Sequence, residues 1–367
     1  MKSLLTALSL CLGLACGGGG PDPATAQDPW AAVAAAVTAA QGQFPEGLYL
    51  EVATPAGVVY SRGAGGFSNT DPVWVASASK WVTSTVLLQL VDQGFLGLDT
   101  RTKELLSDRS GNPWSGNLGE ATLRHLLGFT SGLRGDVPDS ENYSITLDEA
   151  VKRIYDDQQS VAFAPGTCFY YSSTHMRVAG RMAEVATGKS WSQIFEEQMR
   201  APMGLSAESI YSGGSPNPKL AGGLKCTGLE YMRFLVMQLR KGLDGSRRVL
   251  SESLVAVQRE DGYGPGTSIL YSPYRLVLGK DYHYALGNWL ETLEGGGPSG
   301  SDPVTRHSST GAFGWAPWVA ADGSYAALIM TQQPGDGTIV PSEALKGQLD
   351  PLIRAALALA PPVLRER

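Results

Sequence analysis

The chain has 367 residues, 43% of them hydrophobic and 17% charged, and 29 Lys and Arg against 35 Asp and Glu give a formal net charge of −6. That much apolar material can build a sizeable core, as one large domain or two intergrown ones, and excludes a disordered chain. Basic residues are scattered and not clustered, which argues against nucleic acid or an anionic membrane surface as main partner and favours a small-molecule or peptide substrate.

The first residues read as an export signal over 1–16: Lys2 precedes an apolar run over 4–15 that is too short to span a bilayer. Cys16, with Ala15 before it and Gly17-Gly18-Gly19-Gly20-Pro21-Asp22-Pro23 after it, looks like a lipoprotein cleavage site, so 17–28 would be a flexible tether and Cys16 the lipidated residue. Gly13 stands where lipoproteins usually carry a larger aliphatic residue, and Ala24-Thr25-Ala26 offers an ordinary signal-peptidase site instead. Either route predicts a protein exported to the bacterial cell envelope, touching a membrane only through such an anchor.

After the tether, 30–41 is an Ala/Val-rich helix, and two β-type runs, 48–53 and 57–61, are joined at Pro55-Ala56. The segment 81–98 reads as an amphipathic helix ending at Gly94 and Gly97. From 99 to 281 the pattern is mostly helical: 122–127, 147–156, 175–187, 192–199, 229–241 and 251–257, broken by Gly/Pro loops. Strand character returns at 284–290, 315–320 and 325–331, before a last helix over 342–360. An isolated hairpin cannot bury its apolar face, so the early strands are expected to join the late ones in one antiparallel sheet. The expected architecture is therefore α/β (α+β): a sheet domain flanked by helices from 29–98 and 282–367, with 99–281 as a mostly helical insertion.

Ser77-Ala78-Ser79-Lys80 stands at the start of the second helix, where i and i+3 share a face, so Lys80 can reach Ser77 Oγ and take its proton. Chance alone yields roughly one Ser-x-x-Lys in such a chain, so context decides its meaning. Two further clusters supply context: Pro165-Gly166-Thr167 through Tyr170-Tyr171-Ser172-Ser173 before a helix, and His307-Ser308-Ser309-Thr310-Gly311-Ala312-Phe313-Gly314 before a strand.

Together these resemble the three motifs of the penicillin-recognising serine hydrolases: class C β-lactamases, D-alanyl-D-alanine carboxypeptidases and related esterases. The segment 123–133 resembles that family's RHLLxHTSGL, 165–173 its PGTxFxYSN, Pro202-Met203-Gly204-Leu205 its PLGM and Ala221-Gly222-Gly223 its AGG turn. The resemblance implies the β-lactamase/transpeptidase-like fold, with Ser77 as acylated nucleophile and Lys80 as its proton acceptor or electrostatic partner. Tyr171 would be the proton shuttle, and the backbone N–H groups of Ser77 and Ala312 the oxyanion hole. Neighbouring cations or low-dielectric walls are expected to depress both the lysine and the phenol. Ser173, Ser309, Thr310 and Gly311 would bind substrate.

Two departures bear on the substrate. Ser173 replaces the family's asparagine, and Ser309 replaces the lysine or histidine that helps attract a substrate carboxylate. An esterase or amidase is therefore preferred to a dedicated β-lactamase or carboxypeptidase. Arg306 and His307 are candidate replacements for the charge, and Trp315 and Trp318 candidate walls of an acyl pocket. A Ser/His/Asp α/β-hydrolase ranks low, because Gly-x-Ser-x-Gly and βαβ alternation are missing. The alternative of another class is a non-catalytic envelope lipoprotein that binds such ligands. Cys168 and Cys226 are a candidate disulfide in an oxidising compartment, with two separate buried thiols as the other reading. The four histidines show no metal-ligand spacing, and no metal or cofactor is expected.

Overall fold

A computed structural model of the chain describes residues 28–335 and 339–359, so the export signal, Cys16 and the tether up to residue 27 lie outside the described residues. Seven antiparallel strands form the main sheet: β1 (Leu48–Thr54), β2 (Gly57–Ala64), β3 (His283–Tyr284), β4 (Trp289–Glu291), β5 (Arg306–Ser308), β6 (Ala316–Ala320) and β7 (Ala326–Met330). Their spatial order is β3-β4-β5-β6-β7-β1-β2. The early hairpin joins the late strands through β1 and β7, with Tyr49 opposite Met330 and Ala53 opposite Ala326.

The sheet is covered on both faces, which is why β6 and β7 are buried at every position and read as continuous apolar runs. One face packs the terminal helices α1 (Ala31–Ala40) and α6 (Ile339–Leu359): Val33, Val37, Leu345, Leu349 and Ile353 meet Leu48, Leu50, Val52 and Trp318. The other face packs the helical body, including α2 (Ser79–Asp92), α3 (Leu147–Gln158), α4 (Thr174–Thr187) and α5 (Gly228–Leu239). Among the described residues no helix is long and apolar enough to cross a membrane.

Three expectations change. The run 284–290 is two strands, β3 and β4, separated by a turn at Gly287, where φ is +88° and a side chain would collide with the backbone carbonyl of Lys80 and with Ser84. The three residues before Ser309 form a strand of their own, β5, inserted between β4 and β6. Helix α2 is not amphipathic in the fold: every residue from Ser79 to Leu90 is buried. Its polar side chains find partners inside, Thr83 on the Leu220 carbonyl (2.7 Å), Ser84 on the Leu286 carbonyl (2.8 Å) and Gln89 on the Val249 carbonyl (2.8 Å). Polar residues at helical spacing here mark internal hydrogen bonds to neighbouring loops.

Cys168 and Cys226 are separate buried thiols, not a disulfide. Cys168 pairs in a two-stranded sheet with Ser268, whereas Cys226 pairs with Val73 in a different sheet, so the topology holds them on different elements. Burial raises both thiols above their ordinary pKa, which keeps them protonated and poorly reactive.

Candidate active site

The two-residue strand Val73–Trp74 leads into a 3-10 turn, Ala76–Ala78, before α2 begins. Ala76 has φ +47°, a left-handed conformation that costs a non-glycine residue about 1–2 kcal/mol. Surrounding contacts hold it there. Ser79 Oγ donates to the Ala76 carbonyl (2.6 Å) and accepts from Leu224 N–H (3.0 Å), so the elbow is tied to the segment that follows the Ala221-Gly222-Gly223 turn. Ser77 emerges from this elbow at the floor of a cleft of about 570 Å3.

Lys80 Nζ lies 3.0 Å from Ser77 Oγ and donates to the Ala221 carbonyl at 2.8 Å. Lys80 is 2% exposed. Burial pushes its amine down to about 7; the Asp136 charge opposes that fall, Lys219 adds to it, and Glu141 opposes it again. At neutral pH a substantial share of Lys80 is therefore an uncharged amine able to accept a proton.

The Tyr171 hydroxyl lies close enough to the Ser77 side chain for the serine hydroxyl to lower its pKa. Its ring is clamped between neighbours: stacked on Trp289 (centroids 5.3 Å apart), edge-on to Phe129 (5.3 Å) and Tyr284 (5.9 Å), with Lys80 Nζ 4.6 Å from its centroid. Burial raises the phenol above its ordinary value, outweighing the Ser77 hydroxyl. This corrects the expectation that both groups would be depressed: a lysine loses its charge on burial, but a phenol is kept neutral by it. Tyr170 points elsewhere, stacking on Tyr271 at 5.2 Å. The backbone of the pair is held by His175, whose Nε2–H donates to the Tyr170 carbonyl (2.9 Å) while Nδ1 accepts from the Ser131 hydroxyl (2.9 Å). Burial drives His175 down to about 3, so it is neutral and fixes this tautomer.

The third segment turns back between β5 and β6. Gly311 N–H donates to the Trp315 carbonyl (2.7 Å), and a side chain on Gly311 would collide with the Val75 carbonyl oxygen, so only glycine permits this approach to the elbow. Ala312 thereby reaches the cleft wall. Among the described residues neither the Ser77 nor the Ala312 backbone N–H has an acceptor, which leaves two donors free for an oxyanion.

The other candidates of this segment face away. Ser309 Oγ donates to the Ser77 carbonyl (3.1 Å), and Thr310 Oγ1 donates to Glu343 Oε1 (2.5 Å). Ser309 therefore braces the Ser77 carbonyl, and Ser309, Thr310 and Gly311 do not line the cleft, whereas Ser173 does. Arg306 is spent on Glu291 and Asp350, and His307, pushed down to about 3 by burial, contacts Asn288. Neither supplies the missing charge. Trp315 and Trp318 are wholly buried and do not line the cleft, because β6 and the turn before it lie inside the core.

The cleft walls also come from residues that the sequence pattern does not single out: Trp74 (39% exposed), Tyr143 (48% exposed), Ser212 and Lys219. Trp74 sits three residues before Ser77, and Lys219 two before the Ala221-Gly222-Gly223 turn, so proximity to the motifs is the available signal.

A protein-family model described as Beta-lactamase matches residues 33–347. The chain belongs to the β-lactamase family. Penicillin-binding protein 4 of Amycolatopsis lactamdurans is 28% identical over 323 residues, covering 79% of this chain and 80% of that protein. Monacolin J acid methylbutanoyltransferase of Aspergillus terreus is 30% identical over 161 residues, 37% of each chain. A crystal structure of a β-lactamase-like protein from Bacteroides dorei superposes with a TM-score of 0.71 at 28% identity, covering 84% of this chain and 94% of the other. The family relatives matched include penicillin-binding proteins, acyltransferases and an esterase.

Within this β-lactamase-family fold, Ser173 stands just before the start of α4, its N–H donating to Asp136 Oδ1 at 2.6 Å. Its hydroxyl faces the cleft with no protein partner among the described residues, whereas Thr310 is bonded to Glu343. The cleft thus offers a free hydroxyl on one wall and, among the described residues, no cation on the strand wall.

Proposed function

We propose that this β-lactamase-family protein is an exported serine acyl-hydrolase that takes an acyl group from a small-molecule or peptide ester or amide onto Ser77 and releases it to water. The observation that carries this reading is the buried Lys80 amine, 3.0 Å from Ser77 Oγ and titrating near 7. Neutral Lys80 accepts the Ser77 proton as Oγ attacks the substrate carbonyl carbon. The developing oxyanion receives hydrogen bonds from the N–H groups of Ser77 and Ala312. As the tetrahedral species collapses, the proton held by Lys80 passes through the Tyr171 hydroxyl to the leaving group, which departs as alcohol or amine. Tyr171 gives one proton and takes another, so it stays a neutral phenol throughout, in keeping with its raised pKa. In deacylation a water follows the same path, losing a proton to the Tyr171–Lys80 pair as it attacks the acyl carbon. Ser77 recovers a proton as the acid leaves.

Esters are preferred to β-lactams, because the strand wall at Ser309 and Thr310 presents no cation to a carboxylate beside the scissile bond. β-Lactam or D-alanyl peptide turnover is the second reading, favoured by the similarity to a penicillin-binding protein over 79% of the chain. Export, with or without lipid on Cys16, rests on the leader pattern at 1–16.

The test treats the purified protein and its Ser77→Ala variant with a fluorophosphonate, a penicillin and short-chain nitrophenyl esters. The wild type is expected to gain one covalent adduct and to turn over ester faster than penicillin. Ser77→Ala should lose labelling and at least about 10⁴-fold in turnover. An unlabelled wild type would sink the enzyme reading, labelling that survives in Ser77→Ala would move the nucleophile, and faster penicillin turnover would overturn the ester preference.

A further inference from the structure

The cleft carries a second lysine that the reaction above does not use. Lys219 lines the same cavity as Ser77 and Lys80, and its side chain is 38% exposed. Its stem lies across Gly222: a Cβ built there would sit 3.6 Å from Lys219 Cε and 3.7 Å from the Ala76 carbonyl carbon, which puts the lysine beside the residue preceding the nucleophile. Its charge reaches Lys80, whose amine it helps to push down.

The wall that holds Lys219 is built rather than loose. Asn217 Nδ2 donates to the Ser140 and Asn142 carbonyls (2.8 and 2.9 Å), Ser215 Oγ donates to the Tyr143 carbonyl (2.8 Å), and Leu147 N–H to the Pro216 carbonyl (2.9 Å). These bonds fasten the 212–219 segment to 138–147. Lys219 N–H in turn donates to Ser212 Oγ at 2.9 Å.

Among the described residues the acid paired with Lys219 is Glu141, 3.4 Å away, and Glu141 also pairs directly with the buried Arg177. That spacing is longer than the roughly 2.7–2.9 Å of a strong charge-assisted bond, and an ammonium has three donors to place. Asp136, the other carboxylate near Lys80, accepts Ser173 N–H instead. An incoming carboxylate can therefore take Lys219 while Arg177 continues to neutralise Glu141. The Ser173 hydroxyl, free of protein partners among the described residues, opens onto the same cavity.

We propose that Lys219 is a carboxylate-recognising side chain and that the cleft selects acyl substrates carrying a carboxylate, held on the 212–223 wall with Ser173 as a second donor. For its chemistry the proposal rests on the acyl-hydrolase reading. It places the anion away from residues 309–311, where the strand wall has none of the charge needed to hold it.

The experiment compares two ester pairs on the wild type, Lys219→Met and Lys219→Arg. Nitrophenyl hemiglutarate against nitrophenyl pentanoate places the carboxylate in the acyl half, and carboxyphenyl butyrate against phenyl butyrate places it in the leaving half. Both members of a pair use the same Lys80, so their ratio of kcat/KM cancels any change in its pKa. In at least one pair the wild type should favour the anionic ester by about 5- to 10-fold, through KM. Lys219→Met should remove that preference and Lys219→Arg restore part of it. A preference that is absent from both pairs, or unchanged in Lys219→Met, overturns the proposal.

A titration of Ser77→Ala with monomethyl glutarate against dimethyl glutarate probes the same contact without turnover. Weaker monoester binding in Ser77→Ala/Lys219→Met supports the proposal, and equal binding overturns it. A wild type that hydrolyses no ester defeats the hydrolase reading alone, and the titration then decides Lys219.

Discussion

Lys80 and Lys346 are both almost wholly buried, 2% and 1% exposed, yet their surroundings differ in kind. Lys80 meets a hydroxyl and a backbone carbonyl, with no carboxylate in contact among the described residues. Lys346, on α6 behind the third motif, pairs with both Glu291 and Glu343 (2.7 Å to the latter). Glu291 also pairs with Arg306 at 2.9 Å, and those two cations hold its carboxyl below its ordinary value against the upward push of burial. Burial without a counter-charge makes a lysine a base, and burial with one makes it a strut. The strut serves the base: Glu343 accepts from Thr310, next to the Ser309 that braces the Ser77 carbonyl.

The sharpest way to break this contrast is to replace each lysine with methionine. Lys346→Met should cost about 3–5 kcal/mol, because among the described residues it leaves Glu343 without a cation and buried Glu291 with Arg306 alone, and a denaturant midpoint will measure it. Lys80→Met should act in the opposite direction on stability. Its amine titrates near 7 in the native state and near 10 in the unfolded chain, so unfolded molecules bind more protons between those values. Wild-type stability accordingly rises with pH through that window, and the charge of Lys80 is a net cost below it. Melting curves at pH 6 should find Lys80→Met more stable by about 3 kcal/mol, with the gain shrinking towards pH 10. A loss of stability at pH 6 would show that Lys80 is paired in a way the contrast denies. The smallest effect is that of Ser309→Ala, which removes one hydrogen bond to the Ser77 carbonyl and should lower stability by about 1 kcal/mol.

Much of the site's geometry is legible in the sequence because it is local. Ser77 and Lys80 meet through one helical turn, and Tyr171 is separable from Tyr170 once the Pro165-Gly166-Thr167 turn is matched to its motif. Ala312 follows from the glycines around it. The early hairpin's place in the sheet follows from its inability to bury a face alone. What escapes depends on long-range placement. The roles of Ser309 and Thr310 turn on where β5 sits and on Glu343 from α6, and the separation of the cysteines on their belonging to two unrelated sheets. Lys219 gains its meaning only when the 212–219 and 138–147 segments are fastened together. The direction of the Tyr171 shift escapes as well, because the desolvation of its hydroxyl, which outweighs its polar neighbours, cannot be read from a short motif.

The central claim is that neutral Lys80 activates Ser77, and the rate of fluorophosphonate labelling at Ser77 between pH 5 and pH 10 tests it most directly. The rate should rise with pH and reach half its maximum near 7, where Lys80 loses its proton. A rate that stays flat across this range, or one that rises only near pH 10 as for an ordinary lysine, would contradict it.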